Sequence, residues 1–167
     1  MCIMVGDADV KRDTCRVVTQ LASHATGNGT ESMFYSDPSV MCISIHRYDN
    51  GSFYPRSGHP CSCGQGAGLG YNINIALDGK GYGDSDYLTI FDKVAMPVAR
   101  AFNPDIVLVS CGFDACRGDP LGEFDVTASG YARMTQRLMS LADGKCVSAL
   151  FWLYFSVVCH TFPFPSF

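Results

Sequence analysis

One hundred and sixty-seven residues fit one domain, and a chain of that length buries about two-thirds of its unfolded surface. Hydrophobic residues make up 47% and charged residues 17%, well under the roughly 25% usual for soluble domains, which excludes intrinsic disorder. Twelve basic and sixteen acidic side chains leave a net charge of −4, which argues against a phosphate-gripping face and so against direct nucleic-acid binding.

The opening apolar run, Met1 to Val5, is shorter than the apolar region of a secretory signal and leads straight into Gly6-Asp7. Residues 40–45 form a β-branched run after Asp37-Pro38 and read as a strand; residues 72–76 read as another. Residues 85–102 carry Leu88, Phe91, Ala95, Val98 and Phe102 at helical spacing, with a kink expected at Pro97 and a stop at Asn103-Pro104. Residues 105–110, apolar throughout, predict a strand covered on both faces. A second helix is expected from the Thr127 cap, with Tyr131, Met134, Leu138 and Leu141 on one stripe and Asp143-Gly144 as its stop. Residues 146–150 then read as a further buried strand, and the alternation predicts a parallel α/β sheet. The apolar stretch 146–159 is fourteen residues, short of the about twenty that a membrane span needs, so no span is expected. A chain this apolar is expected to pack against a partner or to be a piece of a larger domain.

Nine cysteines without a CxxC pair, several of them in apolar runs, predict reduced thiols rather than a disulfide framework. His59, Cys61 and Cys63 have residue types suited to zinc, but closed sites prefer wider gaps and a fourth ligand, so a surface loop is expected. The alternating glycines 64, 66, 68 and 70 contain no Gly-x-Gly-x-x-Gly and lead into a strand, which excludes a dinucleotide cradle and predicts a flexible loop. In parallel sheets, reactive residues gather at the carboxyl ends of strands. Asp114 follows the 105–110 strand in Ser110-Cys111-Gly112-Phe113-Asp114, and Asp7 and Asp9 follow the run 2–5. Carboxylates from two strand ends can share a cation, and turn-forming aspartates remain the alternative.

The segments taken together resemble class II histone deacetylases. The matching motifs begin with Gly27-Asn28-Gly29-Thr30 and the run Met33-Phe34-Tyr35-Ser36-Asp37-Pro38-Ser39-Val40. They continue through Ile43-Ser44-Ile45-His46-Arg47-Tyr48-Asp49, Phe53-Tyr54-Pro55, Gly70-Tyr71-Asn72-Ile73-Asn74-Ile75 and Met96-Pro97-Val98-Ala99. They end with Val107-Leu108-Val109-Ser110-Cys111-Gly112-Phe113-Asp114-Ala115 and Arg117-Gly118-Asp119-Pro120-Leu121-Gly122. The resemblance implies an arginase-like αβα sandwich around a parallel sheet and zinc-dependent removal of acetyl groups from lysine in histones or other proteins. It further implies corepressor partners and a nuclear or cytoplasmic setting. By the same resemblance Asp114 is a zinc aspartate and Tyr54 is the aromatic wall of the acetyl-lysine tunnel. Ser44 and the Ile45 carbonyl fall at an inner potassium site, and Phe34, Val40 and Tyr71 at an outer one; as plain core residues they read equally well.

Two places depart from the family pattern. The motif Asp-x-Asp-Val-His-His should stand immediately before Gly27, where the chain has Ser23-His24-Ala25-Thr26. Ile3 to Val10 looks like its first half, which makes Asp9 the zinc aspartate, Asp7 a potassium ligand and His24 the only histidine nearby; residues 11–26 stand between. At the other end Ala149-Leu150 should lead into Glu-Gly-Gly-Tyr, but Phe151-Trp152-Leu153-Tyr154 follows, and Tyr154 meets the catalytic tyrosine's position by count alone. The expected organisation is an incomplete deacetylase domain, family-like over 27–150 and over 3–10, and inactive by itself. The alternatives are a non-catalytic interaction fragment and the product of a truncated or intron-retaining gene model.

Overall fold

The computed structural model describes Cys2–Val5, Gln20–Leu21 and residues 27–150, with side chains over 27–148. The strands are β1 (Cys2–Val5), β2 (Gln20–Leu21), β3 (Cys42–Arg47), β4 (Asn72–Leu77), β5 (Val107–Cys111) and β6 (Cys146–Leu150). The helices are α1 (Asn28–Phe34), α2 (Asp84–Ile90), α3 (Met96–Phe102) and α4 (Ala128–Leu138). The six strands form one sheet in which β4 pairs with β3, β6 with β5, and the slot between β3 and β5 takes both β1 and β2.

Every pairing of β2 to β6 is parallel, as expected for an α/β domain. β1 is the exception: it lies antiparallel to both β3 and β5, with Cys2 opposite Ser44 and Ser110 and Val5 opposite Val107. β2 continues the slot toward the carboxyl ends, with Leu21 opposite Ile45 and Cys111.

Position in the sheet explains the composition of the strands. All six residues of β3 are buried, with Ile43 and Ile45 fully so, because a central strand is covered on both faces. The strand begins at Cys42 rather than Val40 and runs on through His46 and Arg47, whose polar groups are satisfied inside the protein. β4 ends at Leu77 and β5 runs over 107–111, each within two residues of the expected bounds.

The long helix expected over 85–102 is three segments. α2 passes into a π-helical turn, Phe91–Ala95, and α3 follows with Pro97 in its first turn. Pro97 has no N–H to donate, and the chain meets that by widening the preceding turn, where the Met96 N–H reaches back to Phe91 O. The expected kink at Pro97 is thus replaced by a π turn in front of it. Leu88, Phe91, Ala95 and Phe102 are buried, while Ala99 enters the core and Val98 stays partly exposed, a shift the extra residue in the π turn produces. Asn103, in the left-handed region at φ 52°, closes α3.

The Thr127 hydroxyl caps α4 by accepting from the Gly130 N–H at 3.2 Å. Tyr131, Met134, Leu138 and Leu141 are all buried, as the stripe predicts. The helix ends at Leu138, short of the expected stop at Asp143-Gly144, which belongs to a separate 3-10 turn, Ala142–Gly144. Ser140 Oγ donates to Arg137 O at 2.6 Å, and this local bond competes with a further helical turn.

Candidate functional site

The carboxyl ends of β3, β4 and β5 and the loops beyond them hold the chemistry-bearing residues. Asp114 sits half-buried in the turn after β5, where the Cys116 N–H donates to Phe113 O at 2.9 Å. Its charge is felt in the core: it adds to burial in raising the Cys111 thiol to about 12 and in raising the phenols of Tyr87 and Tyr131. Cys111 is therefore a protonated core thiol, without nucleophilic character at neutral pH.

The loop after β3 carries Tyr54 at the surface, 72% exposed. Its neighbour Phe53 lies under Arg47, whose guanidinium carbon is 4.4 Å from the ring centroid. Arg47 is buried and joins three segments. Nε donates to Asp49 at 2.8 Å, and Nη1 donates to Glu123 at 2.8 Å and to the carbonyls of Gly122 and Leu121 at 3.2 and 3.3 Å. Glu123 also meets Lys80, and Asp49 accepts from the Gly79 N–H, so the loops after β3, β4 and β5 are tied to one cation.

Ser44 Oγ lies 2.9 Å from His46 Nδ1, and His46 Nε2 lies 2.9 Å from Gly58 O. The carbonyl can only accept, so Nε2 carries the proton and Nδ1 accepts from the serine. Burial pushes the His46 pKa down to about 4, so the ring is neutral near pH 7. Of the other expected cation-site residues, Ile45 and Val40 are buried and Tyr71 packs edge-on against Phe102 at 5.3 Å. The Phe34 carbonyl accepts from the Asp37 N–H and the Tyr71 carbonyl from the Cys42 N–H.

Asp7, Asp9, His24 and Tyr154 lie outside the described residues. Among the described residues no group of three or more His, Cys, Asp or Glu forms, so Asp114 is one ligand without a three-ligand set around it. His59, Cys61 and Cys63 do not converge either: the His59 ring accepts from the Cys61 N–H and lies edge-on to Tyr48, as a surface loop allows. Cys61, Cys63, Cys111, Cys116 and Cys146 are in no disulfide. The glycine-rich loop is packed rather than flexible. A Cβ on Gly68 would lie 2.6 Å from the Ser36 backbone, and the Gln65 N–H donates to Tyr35 O. No helix among the described residues is long and apolar enough to cross a membrane.

Sequence reasoning missed the Arg47 hub, the Ser44–His46–Gly58 chain and a contact of Glu31 on α1 with Asn74 on β4 at 3.3 Å. All three rest on polar residues inside or beside strands, a signal that marks a buried polar network only when the strand is known to be central.

A parallel α/β sheet with a carboxylate at the exit of a central strand defines a domain that works at its strand carboxyl ends. Comparison with known proteins narrows this. The histone deacetylase domain matches residues 23–153. Histone deacetylase clr3 of Schizosaccharomyces pombe is 53% identical over 126 residues, 74% of this chain and 18% of that protein. Histone deacetylase 9 of Homo sapiens is 53% identical over 129 residues, 74% of this chain and 13% of that protein. The solved structure of the histone deacetylase Clr3 superposes with a TM-score of 0.78 at 47% identity, covering 84% of this chain and 24% of that one. The crystal structure of the HDA15 HD domain gives 0.79 at 45%, covering 82% and 39%. The chain belongs to the histone deacetylase family, with part of its domain represented in these 167 residues. It spans 13–22% of the length of the curated relatives it matches.

Proposed function

We propose that this chain is a portion of a class II, zinc-dependent deacetylase domain whose whole form removes acetyl groups from lysine in histones or other proteins, and that the chain by itself does not turn over. The observation that carries this reading is Asp114, held in Gly112-Phe113-Asp114 directly beyond β5 in a family member. In the whole domain Asp114 would ligate zinc together with Asp9 and His24, and Tyr54 would flank the acetyl-lysine chain. Support for His24 comes from β2, which runs parallel to β5 and ends beside Cys111, at the edge where Asp114 stands.

Potassium would sit at Ser44 and Ile45 with Asp7, and at Phe34, Val40 and Tyr71, where it would be structural. Tyr154 would be the oxyanion-facing group by count along the chain. Corepressor proteins are the proposed partners, and nucleus or cytoplasm the proposed setting. A non-catalytic interaction fragment is favoured by a different observation: Val147 on β6 is 52% exposed, and among the described residues β6 pairs only with β5.

The test is hydrolysis of an acetyl-lysine peptide with added zinc, comparing the chain with Asp114→Asn. No turnover in either is expected. Turnover in the chain that vanishes in the variant would overturn the inactive reading while supporting the deacetylase one.

A further inference from the structure

Two cysteines in the loop between β3 and β4 stand apart from the rest by their surroundings. Cys61 is exposed and Cys63 half-buried, and both are free thiols. Cys42, Cys111 and Cys116 are buried, and Cys146 is half-buried on β6. Burial pushes the Cys111 thiol up to about 12 and raises those of Cys116 and Cys146, so these three stay protonated and are poor nucleophiles.

Only Ser62 separates Cys61 from Cys63. Two Cα steps span at most about 7.2 Å, and any backbone short of full extension falls within the roughly 4.4–6.8 Å over which disulfides close. The loop around the pair is held by hydrogen bonds. The Ser62 N–H donates to His59 O at 2.8 Å, closing a turn with Pro60 and Cys61 at its corner, and the Cys61 N–H donates to His59 Nδ1 at 3.0 Å. On the other side the Gly70 N–H donates to Cys63 O at 2.6 Å, and a Cβ on Gly64 would lie 2.0 Å from Gly68 O.

We propose that Cys61 and Cys63 are a peroxide-responsive dithiol, with Cys61 as the attacking thiol and Cys63 as the resolving one. The Cys61 sulfur, as thiolate, attacks one oxygen of hydrogen peroxide; the O–O bond breaks, hydroxide leaves and takes up a proton as water, and Cys61 becomes a sulfenic acid. The Cys63 sulfur then attacks that sulfur, the S–O bond breaks, a second water leaves and the disulfide is formed. Two thiols are oxidised, one peroxide is reduced to two waters, and no further reactant is needed. A metal at His59, Cys61 and Cys63 would need a converging set, which is absent among the described residues, whereas a disulfide needs only the pair.

The residue between the cysteines carries the change inward. Ser62 O accepts from Asn72 Nδ2 at 2.5 Å and from Asn74 Nδ2 at 3.1 Å, and Asn74 Nδ2 also meets Glu31 on α1 at 3.3 Å. Closing a small ring across Ser62 turns the peptide groups on either side of it, so oxidation at the surface is felt at the start of β4 and at α1.

The experiment treats the full chain with one equivalent of hydrogen peroxide, blocks the remaining thiols, and maps the peptide holding residues 61–63 by mass spectrometry without reduction. That peptide is expected unblocked and about 2 Da lighter, from the loss of two hydrogens, before any oxidation at Cys111 or Cys116. Cys63→Ser should stop at the sulfenic acid, trapped by dimedone on Cys61, and Cys61→Ser should give neither product. The side-chain amide signals of Asn72 and Asn74 should shift when the wild-type chain is oxidised and stay in place in treated Cys63→Ser. The inference is overturned by a disulfide from either cysteine to another cysteine or to a second chain, by trapping on Cys63 rather than Cys61, by buried cysteines oxidised first, or by asparagine signals that do not move. The wild-type peptide map decides the pairing without either variant. No readout involves zinc or acetyl-lysine, so the result stands apart from the proposed function.

Discussion

Replacing Arg47 by Met keeps the length of the stem and deletes the buried cation that ties three loops together. The side chain is 8% exposed, and its partners differ: Asp49 is 22% exposed and Glu123 38%. Breaking a buried ion pair by removing one partner costs about 3–5 kcal/mol, because the other charge is left uncompensated. Glu123 keeps Lys80 and contact with water, so the uncompensated charge is chiefly Asp49, still bonded to the Gly79 N–H. That places the cost at the low end, about 3 kcal/mol with the lost Phe53 contact included. For a chain of this size it corresponds to a fall in Tm of about 6–12 °C.

The assay is urea and thermal unfolding followed by far-ultraviolet circular dichroism, with Glu123→Gln as the comparison. The Gln variant should cost far less than Arg47→Met, since its partner keeps Asp49 and its own site is wet. Lys80 first and Arg47 second hold the Glu123 carboxyl below its ordinary range. Its contribution is therefore present above the unfolded pKa and lost as pH falls through the folded one. An Arg47→Met cost below about 1 kcal/mol, or one matched by Glu123→Gln, would refute the hub as the element joining these loops.

Glu31 is shifted the other way: burial raises its pKa against the lowering bonds from Asn74 and Asn72. Ionised Glu31 is thus penalised in the fold, so Glu31→Gln should raise the urea midpoint at pH 7, and the gain should fade as pH falls below the carboxyl's ordinary range; a gain equal at both pH values would contradict this. Thr127→Ala loses the α4 cap and a bond to Asp84, and should cost about 1–2 kcal/mol by chemical denaturation, against a few tenths for an exposed threonine elsewhere. Zinc affinity of the chain should be far below that of an intact family member, since described residues provide one ligand. Stoichiometric zinc retained through dialysis and lost in Asp114→Ala would reverse that expectation and promote His24 to a ligand.

The elements that were legible in the sequence are those whose apolar period is set by one neighbour. α4 shows its stripe and its Thr127 cap plainly, and the apolar run before Asp114 is a strand buried between neighbours. The boundaries failed where polar residues are buried. His46 and Arg47 extend β3 because Ser44, Gly58, Asp49 and Glu123 satisfy them, and those partners are up to 76 residues away. The π turn before Pro97 escaped for a related reason: a missing N–H can be met by a kink or by a wider turn, and packing of Phe91 and Ala95 decides between them. The place of Asp114 after a strand was legible from the apolar run before it, whereas Tyr87 and Tyr131 look like ordinary apolar-face residues until their hydroxyls are counted.

Strand direction bears on which residues can join Asp114. Val5 ends β1 opposite Val107, the first residue of β5, so the chain leaves β1 at the edge of the sheet away from Asp114. Leu21 ends β2 opposite Cys111, the last residue of β5, three residues before Asp114. Consecutive Cα atoms are about 3.8 Å apart, so His24, three residues past Leu21, is within about 11 Å of the end of β2 by chain length alone. Asp9, four residues past Val5, would have to turn back along the full rise of β5, about 13 Å, to reach the same edge. By strand direction, a metal set built on Asp114 would take His24 without a reversal of the chain and Asp9 only with one, while β1 runs antiparallel. Placing Asp9 beside Asp114 requires residues 3–5 to take the parallel slot that β2 holds. Substituting Asp9 and His24 singly and titrating zinc distinguishes the two arrangements: a loss confined to His24→Ala follows from the antiparallel strand, and a loss confined to Asp9→Ala requires the strand to be reversed.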